Sequence, residues 1–166
     1  MSARRAGKAN AEFLLYMALL LILGLLVFSL AAAGSSAYAK LVDRKERDGE
    51  LRVAVSYLEV VLRKHDAAGA VSLGDNPFGS GPALFLSDES NGEVYTTVVF
   101  CQDGALRELM YLEGTAHTYD MSSPVSTVDK VEFASEGRGI RIRAVAKDGT
   151  TLSSFIFLRS LEGAAP

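Results

Sequence analysis

The sequence predicts an α+β protein, in which an N-terminal transmembrane helix continues into an amphipathic helix that packs on a C-terminal antiparallel β-meander. Three observations carry this expectation. An apolar run without a charge spans Phe13 to Ala33, a stripe at helical spacing follows between Leu51 and Leu62, and from Ala83 onward apolar residues alternate at period two between Asn-Gly and Asp-Gly pairs. Four segments result: residues 1–12 as a basic cytosolic leader, 13–33 as the transmembrane helix, 34–68 as an extracytoplasmic helix and 69–166 as the sheet domain.

The span rests on length. As a helix rising about 1.5 Å per residue, Phe13–Ala33 is roughly 32 Å long, close to a hydrocarbon core of about 30 Å. Tyr16 and Ser29 are its clearly polar side chains, and Gly24 leaves every backbone hydrogen bond inside the helix. A secretory signal is the competing reading: Arg4, Arg5 and Lys8 form a positive n-region, and Ala37-Tyr38-Ala39 matches a small-x-small cleavage pattern. The apolar run exceeds the 7–15 residues usual for a signal core and favours the retained anchor. For orientation, the compact cations before the run point to an N-terminus inside and the sheet domain outside, in the cell membrane. Lys40, Arg44, Lys45, Arg47 and Arg52 oppose this by count, although they alternate with Asp43, Glu46, Asp48 and Glu50.

Beyond the membrane no proline interrupts Ser35 to Ala68. Leu51, Val55, Leu58, Leu62 and His65 recur at steps of four and three, widened by Ala54 and Val61. Lys40–Glu50 reads as a solvated charged patch, within the same helix or broken at Gly49. Gly69 and the run Gly74–Pro82 then stop helix and read as a connector. Candidate strands are Ala83–Ser87, Glu93–Gln102, Ala105–Leu112, Lys130–Ala134, Ile140–Lys147 and Thr150–Arg159. Asn91-Gly92, Asp103-Gly104 and Asp148-Gly149 favour the positive φ of tight hairpins, so the strands are expected to run antiparallel as one meander. Ile140, Ile142, Ala144 and Ala146 alternate with Arg141, Arg143 and Lys147, which predicts one core face, under Leu51, Leu58 and Leu62, and one wet face. Gly114–Thr127, with His117, Tyr119 and Pro124, shows no period and reads as a long loop or irregular edge.

Charge and chemistry narrow the function. The chain carries 17 Lys and Arg against 20 Asp and Glu, and the three cations of the leader are among the 17. The sheet domain is therefore acidic, which argues against nucleic acid as its partner. A single cysteine, Cys101, excludes an intrachain disulfide. Flanked by Phe100 and Gln102 in a strand, it reads as a small buried hydrophobe. His65 and His117 lack companions at metal-ligand spacing, His65-Asp66 comes with no nucleophile elbow, and Gly74–Gly81 lacks the Lys-Ser/Thr of a phosphate loop. No cofactor, metal, small-molecule substrate or enzymatic activity is expected. Arg63-Lys64-His65-Asp66 and Arg107-Glu108 read as solvent-facing charge, and Tyr57, Tyr95, Tyr111 and Tyr119 as core or half-buried positions.

The basic leader, Gly7, the span starting just after Glu12, the amphipathic continuation and the C-terminal sheet together resemble type IV pilin-like proteins, including minor pseudopilins. That resemblance implies a peptidase cut after Gly7, a mature N-terminus at Lys8, and Glu12 as the fifth mature residue, which neutralises the amine of a neighbouring subunit. Lys8 stands where that family places an apolar residue. The residue-level alternative pairs Glu12 with Lys8 at i, i+4. Tyr57-Leu58, Leu62-Arg63, Asp66, Glu93-Val94-Tyr95 and Gly104–Leu109 are also similar to a short single-span bacterial family catalogued as a domain of unknown function. Two expectations for function follow. One is a pilin-like structural subunit of an envelope filament, secretion or competence apparatus, with the bilayer and other subunits as partners. The other is a membrane-tethered binding or accessory module.

Overall fold

In the computed structural model the backbone is described for residues 3–160 and side chains for residues 13–160. One helix, α1, runs without a break from Ala3 to Lys64. The chain divides into two units at Lys45/Glu46, inside this helix. In the first unit every side chain from Phe13 to Leu41 is exposed. Among the described residues α1 is the one helix long and apolar enough to cross a membrane. Its internal glycines do not break it. Gly24, Gly34 and Gly49 all lie within it, so the break considered at Gly49 is absent.

The second unit begins where α1 becomes one-sided. Leu51, Ala54, Val55, Leu58 and Leu62 are buried, whereas Val53 and Val60 on the other side are 49% and 66% exposed. Arg63 and Lys64 occupy the last turn, where cations offset the negative end of the helix dipole. Among the described residues eight strands follow: β1 (Val71–Asp75), β2 (Pro82–Ser90), β3 (Glu93–Gln102), β4 (Ala105–Leu112), β5 (Ser123–Ser126), β6 (Lys130–Glu136), β7 (Gly139–Val145) and β8 (Thr151–Phe157). All the pairings are antiparallel between sequence neighbours. The turn chemistry sets two hairpins directly. Asn91 and Gly92 have φ of 56° and 82°, and Asp103 and Gly104 have 54° and 74°, the geometry that twists a two-residue loop to match its strands.

The meander is split, and this corrects the single sheet expected from sequence. The strands form a five-stranded sheet in the order β1-β2-β3-β4-β5 and a three-stranded sheet β6-β7-β8. A strand has two edges, and here each edge of β2–β4 is taken: β1 occupies the outer edge of β2, and β5 occupies that of β4. β6 does not add to the free edge of β5, and it starts a second sheet with β7 and β8. Both β1 and β5 lie in stretches read as connector and loop. Pro124 is tolerated in β5 because an edge strand needs its donors on one side only. β7 ends before Lys147 and β8 starts after Thr150 because Ala146 N–H donates to Thr150 O at 2.8 Å and closes a loop around Asp148-Gly149, and β8 ends at Phe157, ahead of Arg159, whose N–H is given to Asp66.

One main core joins α1 to both sheets. It unites Leu51, Leu58 and Leu62 with Leu84, Leu86, Val99 and Leu106 of the first sheet and Val131, Ile140, Ile142 and Ile156 of the second. The second sheet has the expected wet outer face, with Arg141 and Arg143 exposed. The first sheet does not. Ala83, Val98, Phe100 and Leu109 form a second, smaller core on its far side, covered by Phe78 and Tyr119, because the loop between β1 and β2 and the chain between β4 and β5 both fold over that face.

A polar rim fastens the helix. Arg47 pairs with Asp148 at 3.2 Å, Glu50 accepts the Thr127 N–H at 2.6 Å, and Glu59 accepts the Ser154 hydroxyl. Arg47 and Glu50 are thus engaged rather than part of a wholly solvated patch.

Candidate functional site

A groove of about 590 Å³ opens beside the last turns of α1. Its position follows from the strands. On the face toward the helix, β2 presents Leu84 and Leu86, which are buried, and then Asp88 and Ser90, which are exposed. In register across the sheet, Leu84, Val99 and Glu108 form one row, Leu86, Thr97 and Met110 the next, and Asp88 and Tyr95 a third. The apolar half of this face receives the leucines of the helix. Toward its end the same face turns polar, the helix stops at Lys64, and a channel is left between them. Tyr57, Val61, Lys64 and His65 form its helical wall, and Met121 and Ser123 belong to the returning chain.

Within the groove the Tyr57 hydroxyl donates to the Glu108 carboxylate. Burial, followed by the hydrogen bond to Glu108, pushes the Tyr57 phenol well above its ordinary value. His65, 9% exposed, donates Nδ1–H to the Val61 carbonyl at 2.8 Å, so this ring caps its own helix. Tyr95 donates to Glu93 at 2.8 Å, and Met110 and Met121 are 67% and 57% exposed. Tyr57, Tyr95, Tyr111 and Tyr119 are all half-buried.

The other chemistry-bearing residues are placed elsewhere. Cys101 is half-buried, with Sγ 3.4 Å from the Asp129 carbonyl oxygen and 3.5 Å from that of Val128. Burial, helped by the Asp129 charge, pushes its thiol up to about 11, which opposes the thiolate a nucleophile needs. Asp66 accepts backbone N–H groups of Arg159 and Ser160, both at 2.9 Å. These donors hold its carboxyl below the usual carboxylate range, and it serves as a clasp for the returning chain. His117 stacks on Tyr111 with ring centroids 3.9 Å apart.

His65 and Asp66 are thus engaged rather than solvent-facing charge, and so are Arg107 and Glu108. Arg107 donates to Ser122 Oγ at 2.7 Å and Ser122 O at 2.8 Å, and its guanidinium lies 4.7 Å from the Tyr119 ring centroid. Glu108, its neighbour, points to the other face and holds Tyr57. Alternation along β4 is the signal that separates them. Among the described residues no group of three or more His, Cys, Asp or Glu could hold a metal ion. Gly7, Lys8 and Glu12 fall in the first turns of α1, and their side chains lie outside the described residues.

No curated protein and no solved structure matches the chain. One family does, over residues 49–147. The matched stretch begins where α1 becomes amphipathic and ends in the turn between β7 and β8, so it takes in the core-facing helix and the groove. More than half of the sequence lies within it, and the chain therefore belongs to the family described as Domain of unknown function (DUF4860).

Proposed function

We propose that this is a non-enzymatic, single-pass membrane protein acting as a pilin-like structural subunit of an envelope filament, secretion or competence apparatus, with its N-terminus inside and its sheet domain outside. The observation that supports this reading most is the helix. Fifteen large apolar side chains between Phe13 and Leu30 are each about half exposed or more. At about 1.5–3 kcal/mol for each side chain, leaving them in water costs a few tens of kcal/mol. Lipid or like helices must cover them. The helix also continues through Ala37-Tyr38-Ala39, where cleavage as a secretory signal needs an extended chain. The Ser36 hydroxyl donates to the Ala32 carbonyl at 3.0 Å, which satisfies it within the helix.

On this reading Gly7 marks a processing point, Lys8 becomes the mature N-terminus and Glu12 pairs with the amine of an adjacent subunit, since a charge at the bilayer edge is costly unless paired. Intact mass of the membrane-extracted protein tests it. The expected mass begins at Lys8, and Glu12→Gln weakens assembly with insertion and folding unchanged. A mass beginning at Met1 or Ser2, together with unchanged assembly of Glu12→Gln, overturns it in favour of a tethered binding module. The groove beside α1 favours that second reading.

A further inference from the structure

The groove contains charges that the chain itself leaves unbalanced. Glu108 is half-buried, and its hydrogen-bond partner is the neutral Tyr57 hydroxyl. Among the described residues no Lys or Arg forms an ion pair with Glu108 or Asp88. The nearest arginine in sequence, Arg107, is turned through the sheet to Ser122 and Tyr119. Of the residues lining the groove, Lys64 alone is a Lys or Arg, against two carboxylates. A carboxylate drawn partly out of water with one neutral donor is under-compensated, and an anion arriving here would meet repulsion. A bare metal ion finds a poor set of oxygens among mostly apolar walls. Tyr57 and Tyr95 line the groove, and the faces of aromatic rings attract cations. Met110 and Met121 offer polarisable thioethers that adapt to an apolar body. The volume of about 590 Å³ lies within the range of small-molecule sites.

We propose that this groove binds a small organic monocation with an apolar body, of the alkylammonium class, its charge held by Glu108 and its body by Tyr57, Met110 and Met121, while Asp88 and Tyr95, two rows farther along the sheet, add negative potential and an aromatic wall. This deepens the binding-module reading, and it does not depend on how the apolar half of α1 packs.

Methionine-methyl NMR of the full chain in neutral maltoside micelles tests it, because these micelles present no choline or anionic headgroup. The chain has four methionines, and Met17 in the apolar helix is the internal control. Titration with n-butylammonium is expected to shift Met110 and Met121 saturably and to leave Met17 in place, whereas n-butanol and butyrate produce no saturable shift. Glu108→Gln weakens binding on the order of tenfold, as for loss of a charge-assisted contact. Asp88→Asn, at an exposed strand end where folding is not at stake, weakens it by about twofold, because its charge acts from a distance that salt partly screens. Shifts that never saturate, equal binding of n-butanol, or unchanged binding in Asp88→Asn and in a folded Glu108→Gln overturn the proposal. Saturation by acetyl-Leu-Lys-Leu-amide but not by n-butylammonium also overturns it, and assigns the groove to a lysine side chain of a partner protein. Loss of filament assembly leaves these shifts untouched, so the two readings fail separately.

Discussion

At Cys101 a single side chain shows how environment sets chemistry. Its thiol ionises at an ordinary value of 9.0 when unfolded and at about 11 when folded, because burial and the Asp129 charge both disfavour the thiolate. Between those values the unfolded chain has released a proton that the folded chain still holds. The contribution of Cys101 to stability is therefore complete below pH 9 and is lost as pH rises through about 11. Urea unfolding at pH 8 and pH 10.5 should show the native chain losing stability relative to Cys101→Ala at the higher pH. Alkylation of the folded protein at pH 8 should be far slower than that of free cysteine, and equal rates would contradict the assignment. That this side chain packs against the core was legible from its strand neighbours, although it is half-buried rather than buried. The Tyr57–Glu108 bond was not, because its partners lie 51 residues apart and each reads alone as an ordinary surface or half-buried position.

Elements were legible where the backbone demands a particular residue. β3 and β4 have the expected boundaries because Asn91-Gly92 and Asp103-Gly104 supply the positive φ at both loop positions. β1 and β5 carry no such mark: β1 is mostly exposed and β5 contains a proline, so only pairing with a neighbour makes them strands. The amphipathic half of α1 can be probed by contrast. Leu58 is fully buried and Val60 is 66% exposed. Leu58→Ala should cost about 2–5 kcal/mol in urea unfolding, whereas Val60→Ala should stay within about 0.5 kcal/mol. Equal costs would mean the helix does not seat on the sheets as described. In the second sheet, a Cβ at Gly139 would collide with the Ile156 carbonyl oxygen and the Phe155 ring. Gly139→Ala should therefore destabilise by about 1–3 kcal/mol through overpacking, although nothing in the alternation of β7 singles this glycine out.

For the molecule as a whole, the decisive property is where it resides. The apolar half of α1 predicts a membrane pellet that resists carbonate and is released by detergent, whereas a soluble chain beginning at Lys40 would restore the secretory-signal reading. The sheet domain has a core joining one helix face to two sheets, a lone cysteine, and no metal-binding cluster among its described residues. Its circular dichroism and melting temperature should therefore be unchanged by chelator and by reductant. A loss of structure with chelator would show that a metal contributes to folding.

The sequence by itself determined the α+β class, the apolar span, the buried stripe of α1 and the tight hairpins. Each depends on interactions within a few residues: helical or strand periodicity, freedom from charge, or a φ angle that Asn and Gly accept. Tertiary structure alone decided that the strands form two sheets, that the β1–β2 loop and the chain between β4 and β5 cover the far face of the first, and that Tyr57, Asp88, Tyr95, Glu108 and Met121 line one groove. The physical reason is that a sheet edge accepts a single neighbour and a helix covers only the surface it reaches. Which edge is filled, and which part of a face stays open, depends on the whole packed chain rather than on any segment of it.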